Sequence, residues 1–272
     1  MGFHKESIEL LKLAEVSMTG GSKTKELMGE LASIFSGTRL RESFAPQKIL
    51  NIPNELNSFF HSNGRGDVTF GSNGVVRELR ETLEGGPARD KGSLHGLGLA
   101  HDLLINTPKI SGSYNIGKNA EIIEKDPELV KLMSKFADTS GLTWGGRMSS
   151  GSQFNLDGIT VYDRELHHFE IPKSEITSAV HPVIISFMRE FGISESNLLT
   201  SSGRQNIYSL LVDALSGREI TSEKAEYYRH SEPDKEEVQE HSTESEVESK
   251  PTRLDPSEIK KMMNIGRLFG IF

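Results

Sequence analysis

Apolar residues return at helical spacing in two stretches near the start of the chain. Ile8, Leu10, Leu11, Leu13 and Ala14 fall largely on one face of residues 5–17, and Leu27, Met28, Leu31, Ala32 and Phe35 do the same over residues 24–35. Pro46, Pro53 and several asparagines then break the pattern, so residues 1–60 read as a helical N-terminal arm or small subdomain. From Asp67 the period changes. Residues 67–70, 99–105, 142–148, 158–162 and 167–171 are short strand candidates, and residues 74–83 read as a helix ended by Gly85-Gly86. Asp126-Pro127 starts another helix, with a capping side chain followed by proline at the first helical position. Leu129, Leu132, Met133 and Phe136 supply its buried face and Gly141 its end. After Pro172 the pattern is helical again over residues 182–191 and 206–215. Short strands gathered around helices predict an α+β fold, with a core over residues 61–175 and a helical extension over 176–222.

Charge changes the picture at the far end. Residues 231–250 hold eight acids against Lys235 and Lys250 and carry −6 of the chain's net −8, which leaves the rest near neutral. The segment 223–250 is nearly free of large aliphatics and predicts a disordered acidic tether. Beyond it, Asp255-Pro256-Ser257-Glu258 is a further helix start. Ile259, Met262, Met263, Leu268 and Phe269 then give residues 251–272 an amphipathic face suited to docking on a partner.

Composition removes several classes of function. Only 35% of the 272 residues are hydrophobic, low for a chain packed throughout. No apolar run approaches the roughly eighteen residues needed to span a bilayer, so a transmembrane segment is not expected. The first residues show no basic region followed by an apolar stretch and a cleavage site, so no signal peptide is expected either. Nothing is basic enough to dominate nucleic-acid binding. With no cysteine, disulfides and thiolate metal sites are excluded, and any metal must sit on imidazole and carboxylate.

That chemistry is present at two places. Ser93-Leu94-His95-Gly96-Leu97-Gly98-Leu99-Ala100-His101-Asp102 supplies one imidazole and a carboxylate, and Glu165-Leu166-His167-His168-Phe169-Glu170 supplies more. A catalytic zinc site needs three protein ligands, an open position for water and a nearby base, and this is such an inventory. His101 and His167 neighbour the proposed ligands. By strand alternation they should point away, although His167 in place of His168 stays open on the residues alone.

The two segments match an S-x-H-x-x-G-x-A-x-D signature and an E/D-x-x-H-F/W signature, with Trp144-Gly145-Gly146 between them. Over about residues 67–172 the chain therefore resembles the zinc D,D- and L,D-peptidase family of VanX, VanY and the phage endolysins. The resemblance implies a small antiparallel sheet with flanking helices and a Zn²⁺ ion held by His95, Asp102 and His168. Its ligand directly before the phenylalanine favours His168 over His167. It implies Glu165 as general base and an arginine that polarises the substrate carbonyl. Arg77 is the candidate, with Arg80 and Arg89 competing, in a segment that departs from the family's pattern. It places Trp144 beside the cleft, where a plain core role is equally open. The substrate implied is a peptidoglycan stem peptide, and the Trp-Gly-Gly element points to a phage endolysin or virion-associated lytic protein. Such a protein would lie in the host cytoplasm before release or in the virion, with a tail or virion protein docked by the C-terminal helix. The alternatives are a structural phage particle protein that keeps the peptidase fold, and a cytoplasmic D-Ala-D-Ala dipeptidase.

Overall fold

A computed structural model describes residues 22–84, 91–110 and 118–221, together with Lys224, Glu226 and Tyr227. The expected helix over 5–17, Arg89, most of the acidic tether and the C-terminal helix over 251–272 lie outside the described residues.

The described chain begins with α1 (Ser22–Ile34), a two-residue hairpin β1 (Phe35–Ser36) and β2 (Arg39–Leu40), then α2 (Gln47–Leu50) and α3 (Ile52–Ser62). Next come β3 (Thr69–Gly74), α4 (Leu79–Glu84), β4 (Ala100–Asn106), α5 (Asn119–Lys125) and α6 (Pro127–Ser140). Four short strands follow: β5 (Thr143–Trp144), β6 (Gln153–Leu156), β7 (Ile159–Tyr162) and β8 (His168–Glu170). The described elements close with α7 (Ile176–Ala179), α8 (Pro182–Glu190) and α9 (Ser201–Leu215). The main sheet has the order β3-β4-β8-β5 and every pairing in it is antiparallel. Small antiparallel sheets flanked by helices make this a mixed α+β fold.

Register divides the main sheet into two faces. Directly opposed residues share a face and successive residues alternate. His101 opposes Phe169, and Phe169 opposes Trp144. These, with Phe70, belong to the face that packs on helices. Phe136 of α6 meets Phe169 edge-on at 5.8 Å between ring centroids, and Phe59 of α3 meets Phe136 at 5.6 Å. Asp102 opposes His168, and Ala100 opposes Glu170. Those residues occupy the other face, which therefore carries the polar chemistry.

Residues 22–62, expected as an arm, pack into the same hydrophobic core as the sheet. Leu31, Ile49, Ile52, Leu56 and Phe60 are fully buried there. The helical extension does likewise. Ile207, Tyr208, Leu210 and Leu211 of α9 are inaccessible to solvent, and a helix apolar around most of its girth belongs inside a domain.

Three boundaries differ from the pattern in the sequence. The helix expected over 74–83 begins only at Leu79. A bulge between Ser72 and Gly74 carries β3 onward, and Arg77 N–H donates to the His95 carbonyl instead of starting a helical turn. The strand expected over 142–148 stops at Trp144, because Gly145 turns against the backbone of Glu165. A Cβ on Gly145 would sit 2.1 Å from the Glu165 carbonyl oxygen. Helix α9 starts five residues early, at Ser201, because the Thr200 hydroxyl accepts from Gly203 N–H as an N-cap. At the start of the expected tether, Lys224, Glu226 and Tyr227 have helical backbone, and Lys224 pairs with the buried Asp213.

One buried carboxylate braces the sheet's edge. Asp126 caps α6 through Leu129 N–H, receives a two-pronged ion pair from Arg65 at 2.8 and 3.0 Å, and also bonds Lys109 and Thr107. Arg65 thereby bridges Asp126 and Asp67. Burial would raise the Asp126 pKa, but the bonds from Arg65, Lys109 and Thr107 override it and hold the carboxyl at about 2.

Candidate metal centre

His95 lies in a single turn of 3-10 helix, Leu94–Leu97, that leads into β4. The Ser93 side chain caps the turn by accepting from His95 N–H. Gly98 then adopts φ 70°, a left-handed conformation that lets the chain leave the turn and enter the sheet. Asp102 projects from β4 and His168 from β8, and their cross-strand register brings the side chains together on one face. The result is a buried group, His95, Asp102 and His168, with one ligand atom from each lying within 4.8 Å of the others.

The hydrogen bonds around this group decide which ring nitrogens face inward. His95 Nδ1 lies 3.0 Å from the Val75 carbonyl, which can only accept, so Nδ1 carries the proton and Nε2 presents a lone pair. His95 Nε2 is buried, 3.2 Å from Asp102 Oδ1, and has no hydrogen-bond partner. His168 Nε2 lies 3.0 Å from the Glu170 carboxylate and its Nδ1 lies 2.9 Å from Asp102 Oδ1. Two imidazole nitrogens and a carboxylate oxygen thus converge, each imidazole steadied from behind by an acceptor. Metal-bound histidines are oriented in this way, by a carbonyl or carboxylate on the far nitrogen. Two imidazoles and a carboxylate this close together could hold a metal ion, and the donor set fits a divalent metal that accepts nitrogen and oxygen.

Titration reflects the same demand for positive charge. Burial disfavours a charged His168, but the bonds to Asp102 and Glu170 outweigh it and raise its pKa to about 9. Burial would also raise Asp102, yet the bond to His168 and the His95 imidazole close beside it hold its carboxyl well below the usual carboxylate range.

Arg77, the candidate electrophile, sits in the same cleft, with Nη2 2.7 Å from Asp102 Oδ2. Arg80 points elsewhere and donates to Ser216 at the end of α9. Glu165 lines the cleft beside His168, in the turn whose carbonyl accepts from His168 N–H. His101 faces the opposite side of the sheet, between the Ile49 carbonyl and the Ser72 hydroxyl, and burial lowers its pKa.

His167 departs from the expectation that it points away. Its Nε2 is 3.9 Å from Asp102 Oδ1 and its Nδ1 is 3.4 Å from the Asn119 side-chain amide. The reason is local: His167 precedes β8 and lies in a turn, where strand alternation does not apply. It is buried behind Asp102, outside the ligand group. Trp144 is a core residue that also serves the site. Its ring is buried, and Nε1 donates to the Leu166 carbonyl at 2.8 Å, fixing the turn between Glu165 and His168.

Glu170 and Asn119 did not stand out in the sequence. Glu170 had a usable signal, because two residues beyond a strand ligand lies on the ligand's own face. Asn119 had none, since it reaches His167 across 48 positions of chain.

The wider cleft has a cavity volume of about 440 Å³. His95, Glu165 and His168 form one part of its wall, and Arg77, Lys173 and Arg204 contribute cations. No protein-family model, no curated protein and no solved structure matches the chain.

Proposed function

We propose that the chain is a zinc-dependent peptidase that cuts peptide bonds in bacterial cell-wall peptidoglycan, of endolysin or virion-associated type. The observation that carries this reading is the convergence of both motif segments. His95, Asp102 and His168 come together from a turn and two strands, with a free carboxylate, Glu165, and a guanidinium, Arg77, on the same cleft wall. Zinc suits two imidazoles and one carboxylate, and when bound it would polarise the scissile carbonyl and lower the pKa of water.

The chain's own residues supply the rest. Glu165 takes the proton from the attacking water and returns it to the leaving amine. Arg77 commits Nη2 to Asp102, which leaves the other donors of its fork for the carbonyl oxygen as negative charge develops there. Trp144 and Gly145 hold the Glu165 turn in place from behind, so the base is set before substrate arrives. Digestion of purified peptidoglycan by the zinc-loaded protein, with mass spectrometry of the fragments, tests the reading. New amino termini within the stem peptides are expected, and intact peptides after prolonged digestion would refute it.

A further inference from the structure

The cleft contains a buried charge that neither the metal group nor the proposed chemistry uses. Arg204, on the first turn of α9, is 9% exposed. Its Nε donates to the Gly92 carbonyl and its Nη1 to the Leu198 carbonyl at 2.9 Å. Both partners are neutral. No carboxylate among the described residues lies within ion-pair distance of this guanidinium. Nη2 has no hydrogen-bond partner among the described residues, and Arg204 forms part of the cleft wall.

A buried cation held only by carbonyls is costly, and the usual remedy is an anion. The acids nearby are committed or make no ion pair with Arg204: Asp102 and Glu170 bond His168, Asp213 pairs with Arg218 and Lys224, and Glu165, on the same cleft wall, is the proposed base and lies beyond ion-pair distance of Arg204. Lys173, at the exposed rim of the same cleft, adds a second positive charge with no carboxylate partner among the described residues. The location matters as much as the charge. Through Gly92, Arg204 grips the chain three residues before His95, and Tyr208, one turn further along α9, donates to the Ser93 carbonyl at 2.7 Å. An anion on Arg204 would therefore be held at a set distance from the metal group by one rigid element.

We propose that Arg204 binds a carboxylate of the peptide substrate, assisted by Lys173, and so selects acidic peptides and sets which bond meets the metal. This rests on the peptidase reading. Guanidinium and carboxylate match in shape and charge, which makes arginine the natural anchor for such a group. The residue lies outside positions 67–172, where the motifs occur.

The test is binding by the full-length, zinc-loaded Glu165→Gln protein, measured by titration calorimetry. The probes are N-acetyl-L-alanyl-D-glutamate and its two mono-amides, which separate the terminal carboxylate from the side-chain one. One mono-amide should bind about tenfold more weakly than the diacid. That penalty should vanish in Arg204→Met and be partly restored in Arg204→Lys. Equal affinity for all three probes overturns the proposal without any Arg204 variant being needed, as does a penalty unchanged in a folded Arg204→Met. Peptidoglycan cleavage by the wild type is followed separately. Carboxylate preference without cleavage would retain the anion site and remove the peptidase, and cleavage without the preference would do the reverse.

Discussion

Asp102 and His168 face each other directly across β4 and β8, with His168 Nδ1 2.9 Å from Asp102 Oδ1. That single register pair, 66 positions apart in the chain, joins the two motif segments. Slipping either strand by one residue would turn one of the pair to the helix-packed face and dismantle the site.

Glu170 follows from the same geometry. It accepts from His168 Nε2 and so keeps Nδ1 turned inward. Glu170→Gln should weaken zinc binding by about 10- to 100-fold while leaving the fold intact. Competition with a fluorescent zinc chelator measures this, and an unchanged affinity would remove Glu170 from the support of the site.

On the proposed peptidase reading, Glu165 serves chemistry rather than metal binding. Glu165→Gln should retain full zinc content and lower turnover by about a hundredfold or more, as expected for loss of a general base. Activity within a few-fold of wild type would leave the base unassigned.

Trp144 links the core to the site. Trp144→Phe keeps most of the ring's packing but leaves the buried Leu166 carbonyl without its donor. A loss of about 1–2 kcal/mol in urea unfolding is expected. Turnover should fall with zinc retained, because the turn that holds Glu165 is loosened. Unchanged kinetics in this variant would mean that the turn is fixed by other contacts.

Asp126 sets an acid limit on stability. Its carboxyl has a lower pKa in the folded chain than in the unfolded one, so its contribution is complete above the unfolded value. That contribution is lost as pH falls toward about 2. Unfolding free energy should therefore drop with acidification more steeply in wild type than in Asp126→Asn. At neutral pH the substitution should cost about 3 kcal/mol, since it leaves Arg65 and Lys109 without their shared partner. Parallel pH profiles for the two proteins would show that Asp126 does not carry this dependence.

Much of this was readable in the residues because the local signals were strong. Asp126-Pro127 and Gly141 bracketed α6, and the short run from Leu99 to Ile105 marked β4. The first motif segment placed His95 and Asp102 on a turn and its following strand, as found. What the chain pattern could not show was set by distant partners. The stop of β5 depends on Glu165 pressing against Gly145, and the fate of His167 depends on a turn that ends just before its neighbour enters the sheet. The strand over 158–162 was readable but not its partner β6, which the Asp157-Gly158 turn, at φ 51° and 88°, joins to it as a hairpin. Arg204 was invisible as a site residue, because only the packing of α9 against Gly92 brings it to the cleft.

The most direct measurement is metal content after reconstitution with zinc, by elemental analysis of wild type and three alanine variants. The account predicts one zinc per chain in wild type and in His167→Ala, and its loss from His95→Ala and His168→Ala. No bound zinc in wild type, or full zinc in His168→Ala, would contradict the assignment of this centre.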